Sequence, residues 1–345
     1  MVEAGFKYGL SAGSLSSTKV GTYSNGSISA SLTGLTAGTT YYYQAYAIVK
    51  GTGDKESTRQ TFYGSTRSLS TKWTYLNGYE VSASSATESS RSQVSETYGN
   101  TKASVYSTSN SMQKVVTHTF SHNNKVKRNY TMLYDGNKKC ALWVAYVMHA
   151  TEYAHNSAGR SDAWAYDPAI SQSWQFNGGY AESTTYDRGH QMASNDRQTT
   201  EEANQQTFYY TNMTPQFGSL NRGQWQTLEG KVQSLAASTT GRDSLYVVTG
   251  PIFNSPLRTT TDKSGATVGL PDGYYKCLMK CSFDTNGQMT SAHGTAFLFD
   301  TNSSNIAPTQ TTIDAIETKT GFNFFSNVPD SIENQAESEA YHFWL

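Results

Sequence analysis

Residues 186–229 read YDRGHQMASNDRQTTEEANQQTFYYTNMTPQFGSLNRGQWQTLE, and the chain is organised around them. The end of this stretch opens the clearest helix in the sequence, Asn221 to Ala237. Trp225, Leu228, Val232 and Leu235 recur at intervals of 3, 4 and 3, which makes one apolar stripe. On regular helix geometry Asn221 projects near the centre of that stripe and Glu229 about 80° to its side. Both polar groups are therefore turned toward the protein body, where burial is costly unless they have partners. Two explanations stand: Asn221 caps the helix and Glu229 sits in a structural ion pair, or the two serve a hard cation through oxygen ligands and waters.

His190 adds a second kind of chemistry. It follows Gly189, a residue that permits close backbone approach, and it closes a short strand containing Thr184 to Tyr186. A neutral imidazole placed there is able to take a proton from water near physiological pH. The other six histidines, including His118 and His122, read as structural.

Outward from this centre the chain reads as three parts. Residues 1–68 alternate short apolar runs with Gly, Ser and Thr turns. Within them LTGLTAGTTYYYQAYAIVKG (32–51) predicts two strands and a corner, with Tyr41, Tyr43, Ala45 and Ala47 alternating against Tyr42, Gln44 and Tyr46. Residues 69–110, including SASSATESSRSQVSETYGN, lack periodicity and read as a Ser-rich linker. From 111 to 345 apolar patterning returns. NYTMLYDGNKKCALWVAYVMH predicts a hairpin about Asp135-Gly136. SLYVVTG, YYKCLMKCSF and GTAFLFD (244–250, 274–283 and 294–300) predict further strands, and TTIDAIETKTG a short helix stopped by Gly321. Strands with few interspersed helices predict an α+β domain.

Composition narrows the function classes. No run approaches the length of a membrane span, and Met1-Val2-Glu3 does not start a signal peptide, so the chain reads as beginning inside a domain. Cys140, Cys277 and Cys281 are too few for a disulfide framework. Cys277 and Cys281 lie roughly 13 Å apart along one strand, too far to bridge each other. Cys140 has the reach to pair with one of them, but three buried thiols are the simpler expectation. Net charge is −1, with six basic and three acidic residues in 1–68 and 20 against 24 beyond it. That argues against tight binding to a polyanion, though not against turnover in a locally positive cleft.

The motifs together resemble a known family. Asp187-Arg188-Gly189-His190 is the DRGH signature of the DNA/RNA non-specific endonucleases, the ββα-metal nucleases that include mitochondrial endonuclease G. The segment TFYYTNMTPQFGSLNRGQWQTLE (207–229) follows in the family's order. WVAY (143–146), VVTGPIF (247–253), AFLFD (296–300) and IDAIE with Gly321 and Val328-Pro329-Asp330 are similar to further family blocks. The resemblance spans residues 111–330. It implies a ββα-metal nuclease domain with a central antiparallel sheet, preceded by a small all-β domain that resembles a fibronectin type III sandwich.

The resemblance also assigns roles. It implies that His190 is the general base and that Asn221 is the one direct protein ligand of a divalent cation, Mg2+ or in its place Mn2+. Glu229 would hold the waters of that ion, and Asn212 would fix the site around histidine and phosphate. Arg188 would neutralise the phosphorane, while Asp187 would secure the turn. Arg160, Arg222 and Lys231 would bind substrate, with DNA and RNA cut alike to 5′-phosphate ends. Two departures stand out: Gln233 and Asp162 occupy places where relatives carry arginine, leaving Arg160 as a substitute for the second. The expected protein is an exported bacterial enzyme, periplasmic or extracellular, open to a homodimeric state. Its N-terminal domain would be free for a cell-surface or carbohydrate partner. The competing readings are a surface binding module that keeps the fold without turnover, and a nuclease toxin with an immunity partner.

Overall fold

A computed structural model describes residues 2–32, 35, 40–51, 53, 58–70, 103–108, 110–122, 125–153, 158–284 and 289–344. The chain divides into two compact units, Met1–Thr74 with Asp284–Met289, and Tyr75–Phe283 with Thr290–Leu345.

The first unit is all β. Strands β1 (Glu3–Gly9), β2 (Ser17–Val20), β5 (Thr40–Val49) and β6 (Gln60–Tyr63) form a sheet in the order β2-β1-β5-β6, with β7 (Arg67–Ser70) also on β5. β3 (Thr22–Ser24) and β4 (Ser27–Ser29) make a separate hairpin. The alternation read in residues 41–47 is that of β5, which pairs antiparallel with β1. The turn expected between Leu35 and Thr40 lies outside the described residues.

The second unit is built on one eight-stranded sheet. Its order is β19-β18-β17-β14-β11-β10-β9-β8, from β8 (Ala103–Ser107), β9 (Gln113–His122), β10 (Lys125–Asp135), β11 (Cys140–Met148), β14 (Ser244–Ile252), β17 (Gly273–Phe283), β18 (Met289–Phe299) and β19 (Thr309–Thr311). β8 corrects the linker boundary. Its five residues fall inside 69–110 yet pair with β9 from Ala103–His118 to Ser107–Lys114, so the sheet begins before residue 111. A five-residue edge strand carries too little pattern to stand out from a Ser-rich background. The greater part of the stretch read as linker lies outside the described residues.

The middle strands are continuous apolar runs because both faces of the sheet are covered. Every residue of β14 is buried. A short helix α1 (Glu201–Thr207) precedes helix α2 (Gln226–Ala237), which lies on one face of the sheet with its Leu228, Val232 and Leu235 in one buried cluster with Met148, Leu245 and Leu278. Helices α3 (Ile313–Thr320) and α4 (Asp330–Ser338) come later in the chain. α4 crosses β18 so closely that a Cβ on Gly294 would stand 2.2 Å from the Ala336 carbonyl oxygen. The predicted stop of α3 is present, with Gly321 in the left-handed region at φ 74°.

The β10–β11 hairpin is also present, with Asp135 Oδ1 accepting from the N–H groups of Asn137 and Lys138 to close its turn. All three cysteines are buried free thiols. Among the described residues no helix is long and apolar enough to cross a membrane.

Candidate active site

Two short strands and the start of α2 carry the site. β12 (Tyr186–His190) pairs antiparallel with β13 (Met213–Phe217) in a register from Tyr186–Phe217 to His190–Met213. The chain then turns through Gly218–Leu220 and Asn221–Trp225 into α2. This hairpin and helix give the ββα arrangement its name. It opens a cleft of about 690 Å3 lined by His190, Asn221, Glu229, Arg188, Arg160 and Arg222, among others.

The first turn of the helix departs from regular geometry. Between Asn221 and Trp225 the helix is kinked, with Gly223 non-helical at φ −115°, ψ −111°. Asn305 Oδ1 accepts the N–H of Gln224 at this break. A uniform helix would place Asn221 in the middle of the apolar stripe; with the helix broken at Gly223, Asn221 lines the cleft, half-buried, while Trp225 stays in the core. Asn221 is not a helix cap either. Its backbone is α-helical, and its Nδ2 donates to Asp187 Oδ2 at 3.0 Å. That bond turns the amide oxygen, which has no protein partner among the described residues, away from Asp187.

Asp187 thus works differently from the turn-closing role expected of it. One carboxylate oxygen orients Asn221 and the other accepts from Arg222 Nη1 at 2.9 Å. Both contacts run to the helix and not within the Arg-Gly-His turn. The Arg222 side chain is 69% exposed, so this pair is worth little in stability and much in geometry.

His190 sits between two aromatic rings. Trp164 lies 5.5 Å from it, centroid to centroid, and Phe208 5.1 Å away, edge to face. Each ring also carries an arginine: Arg188 at 3.6 Å over Trp164 and Arg160 at 4.8 Å over Phe208. Arg188 donates to the Gly178 carbonyl, and Arg160 donates to Asp162 Oδ1 and Ser194 Oγ. The imidazole Nε2 has no hydrogen-bond partner among the described residues. Burial, with Arg160 and Arg188 adding to it, pushes the ring pKa down to about 3. The imidazole is therefore held neutral.

Asn212 acts from behind. It is fully buried and does not line the cleft. Its Oδ1 accepts from the Met192 N–H, and its Nδ2 donates to the carbonyls of Met192 and Thr207. One amide thereby ties the chain just past His190 to the chain just before Phe208. A parallel bridge between Ala165 and Tyr209 then sets Trp164 beside Phe208. The Trp164–Pro168 segment is itself held by buried Asp167, which accepts from His118 Nε2 and Thr211 Oγ1. His118 is structural, as read.

Glu229 lines the far side of the cleft. Burial raises its carboxyl well above the usual carboxylate range; Lys276 opposes the shift and Asp196 adds to it. Lys276 is itself fully buried, 4.8 Å from the Trp225 ring centroid. Gln233 also reaches the cleft and donates to Asp196 Oδ1, so a neutral amide fills the place of the relatives' arginine.

Lys231 does not join the site. One helical position away from Gly230, its ammonium lies 5.7 Å from the Trp344 ring, off the cleft. Trp164, Phe208, Ser194 and Lys263 belong to the site and were not singled out in the sequence. Only Trp164 carried a signal, through its place in the Trp-x-x-Asp-Pro segment.

The oxygen ligands that share the cleft with His190 are the Asn221 amide oxygen and the Glu229 carboxyl, which suit a hard cation with waters completing its shell. Cysteine thiols are buried elsewhere, so a soft metal has no ligands here.

Residues 107–331 match the sequence pattern of the DNA/RNA non-specific endonucleases. A nuclease of Serratia marcescens is 30% identical over 224 residues, which cover 62% of this chain and 79% of that protein. A nuclease of Nostoc sp. is 29% identical over 223 residues, 62% of this chain and 77% of its own. Human mitochondrial endonuclease G is 28% identical over 129 residues, 37% and 42% of the two chains. Among solved structures, the EndoG/EndoGI complex contains a chain that aligns at a TM-score of 0.47 and 24% identity, over 62% of this chain and 88% of that one.

Proposed function

The chain belongs to the DNA/RNA non-specific endonucleases, a family of metal-dependent nucleic-acid hydrolases, and from that premise we propose how its cleft cuts a phosphodiester. His190 is the general base: its neutral ring takes a proton as water attacks phosphorus. Asn221 and Glu229 would hold a divalent cation, Mg2+ or Mn2+, which would supply positive charge to the reacting phosphate and the departing oxygen. Arg188 and Arg160 offer guanidinium groups to the phosphate oxygens from either side of the histidine. The new P–O bond forms to water, the bond to the 3′ oxygen breaks, and the products carry a 5′-phosphate and a 3′-hydroxyl.

Asp187 aims the Asn221 oxygen, and Asn212 sets the position of the histidine. The groups facing the cleft address phosphates and not base edges, so DNA and RNA are both substrates. We read the enzyme as exported, on its sparse charge (15% of residues) and its Ser-, Thr- and Gly-rich sequence. We read its N-terminal β unit as fibronectin type III-like.

The observation that carries this reading is a neutral imidazole whose Nε2 has no hydrogen-bond partner among the described residues, set in the same cleft as Asn221, whose amide nitrogen is held by Asp187. Incubation with supercoiled plasmid and with RNA tests it. Both are degraded with magnesium and both survive in excess chelator, while His190→Ala slows cleavage by about 10²–10⁴. Wild-type rates in chelator refute the metal, and wild-type rates for His190→Ala refute the base.

A further inference from the structure

Lys263 lies on the tight loop between β15 (Thr259–Thr261) and β16 (Thr267–Gly269), and it lines the cleft. Asp262 builds that loop. Its Oδ1 accepts from Ser264 N, Ser264 Oγ and Ala266 N, and its Oδ2 accepts from Asn177 N. The backbone N–H of Lys263 donates to the Gly179 carbonyl at 3.0 Å. The loop is thus fastened on the Asn177–Gly179 wall, and the side chain runs along it: a Cβ on Gly179 would stand 2.9 Å from Lys263 Cε and 3.4 Å from Nζ.

The ammonium so presented has no hydrogen bond or ion pair among the described residues. Nearby carboxylates are committed elsewhere, Asp187 to Asn221 and Arg222, and Asp162 to Arg160. The next residue of the same wall, Gly178, holds the Arg188 guanidinium through its carbonyl. Two cations are therefore fixed against adjacent residues of one cleft wall. A polyanion threading the cleft along that wall meets both.

We propose that Lys263 binds a backbone phosphate next to the one being cleaved, one step along the strand from the phosphate on Arg188. This rests on the nuclease reading above. It makes Lys263 a substrate-positioning residue that extends the site beyond a single phosphodiester.

The test compares a fluorescein-labelled single-stranded oligonucleotide with a nitrophenyl ester that contains one phosphodiester, using the full chain with magnesium. Lys263→Gln raises KM for the oligonucleotide about two- to five-fold, the range of one solvent-exposed ion pair. The rise for the single-phosphodiester ester is smaller, and Lys263→Arg restores the oligonucleotide KM. Oligonucleotide binding in chelator, followed by anisotropy against salt, loses about 0.7 from its logarithmic salt slope in Lys263→Gln.

Equal losses on both substrates, or an unchanged salt slope, overturn the proposal. Failure of the wild type to cleave either substrate with any divalent metal sinks the nuclease reading instead. In that case the salt slope still decides whether Lys263 meets a phosphate.

Discussion

Gly189→Ala puts one methyl group where the hairpin has no room for it. Gly189 is buried, and its backbone lies outside the left-handed region, so the cost is steric. The new Cβ would stand 2.4 Å from Gln216 Oε1, 2.5 Å from Gln216 Cβ and 3.0 Å from Gln216 Cδ. Ordinary carbon contacts are about 3.5–4.0 Å. The amide tip can swing aside, but Gln216 Cβ is bonded to the backbone of β13, so β12 and β13 must separate by roughly an ångström. Overpacking of this kind costs about 1–3 kcal/mol.

The displaced residue is the neighbour of His190, and a shift of about 1 Å at a catalytic group lowers the rate by about 100-fold. Plasmid nicking at saturating magnesium, alongside urea unfolding, reads both effects. Gln216→Gly in the same background removes the clashing carbon and recovers most of the rate. A Gly189→Ala protein with wild-type midpoint and rate refutes the argument that this glycine is a spacer for the histidine.

Two other outcomes follow from the site. Asn212→Ala removes three buried hydrogen bonds to Met192 and Thr207. At about 1 kcal/mol each, it lowers unfolding free energy by about 3 kcal/mol in urea, with a fall in kcat as His190 loses its support; an unchanged midpoint contradicts this. For pH, the folded His190 pKa of about 3 lies below its ordinary 6.5. Between these values the unfolded chain binds a proton that the native chain does not, so this group's contribution to stability falls as pH drops from 6.5 toward 3. Arg160→Ala removes one of the charges that depress the pKa, moving the His190 titration upward in NMR and with it the acid limb of the rate profile. A limb that stays put in Arg160→Ala removes Arg160 from the causes.

Much of this was legible along the chain because it is local. The 3-4-3 stripe of α2, the Asp135-Gly136 turn and the Gly321 stop each depend on residues within a few positions of one another. The DRGH motif and the 207–229 segment single out His190, Asn221 and Glu229, which line one cleft because nearby elements carry all three. Other features needed partners far away in sequence. β8 becomes a strand only by pairing with β9, and Asn221 faces the cleft because the helix breaks at Gly223 and Asp187 is there to hold it. Lys231 and Lys263 show the same divide. The first shares a helix with Glu229 yet points toward Trp344, whereas the second, more than thirty residues downstream, reaches the cleft because Asp262 folds its loop onto the Asn177–Gly179 wall. Periodicity fixes which residues share an element; which side chains share a cavity depends on packing between elements, and that information resides in the tertiary structure alone.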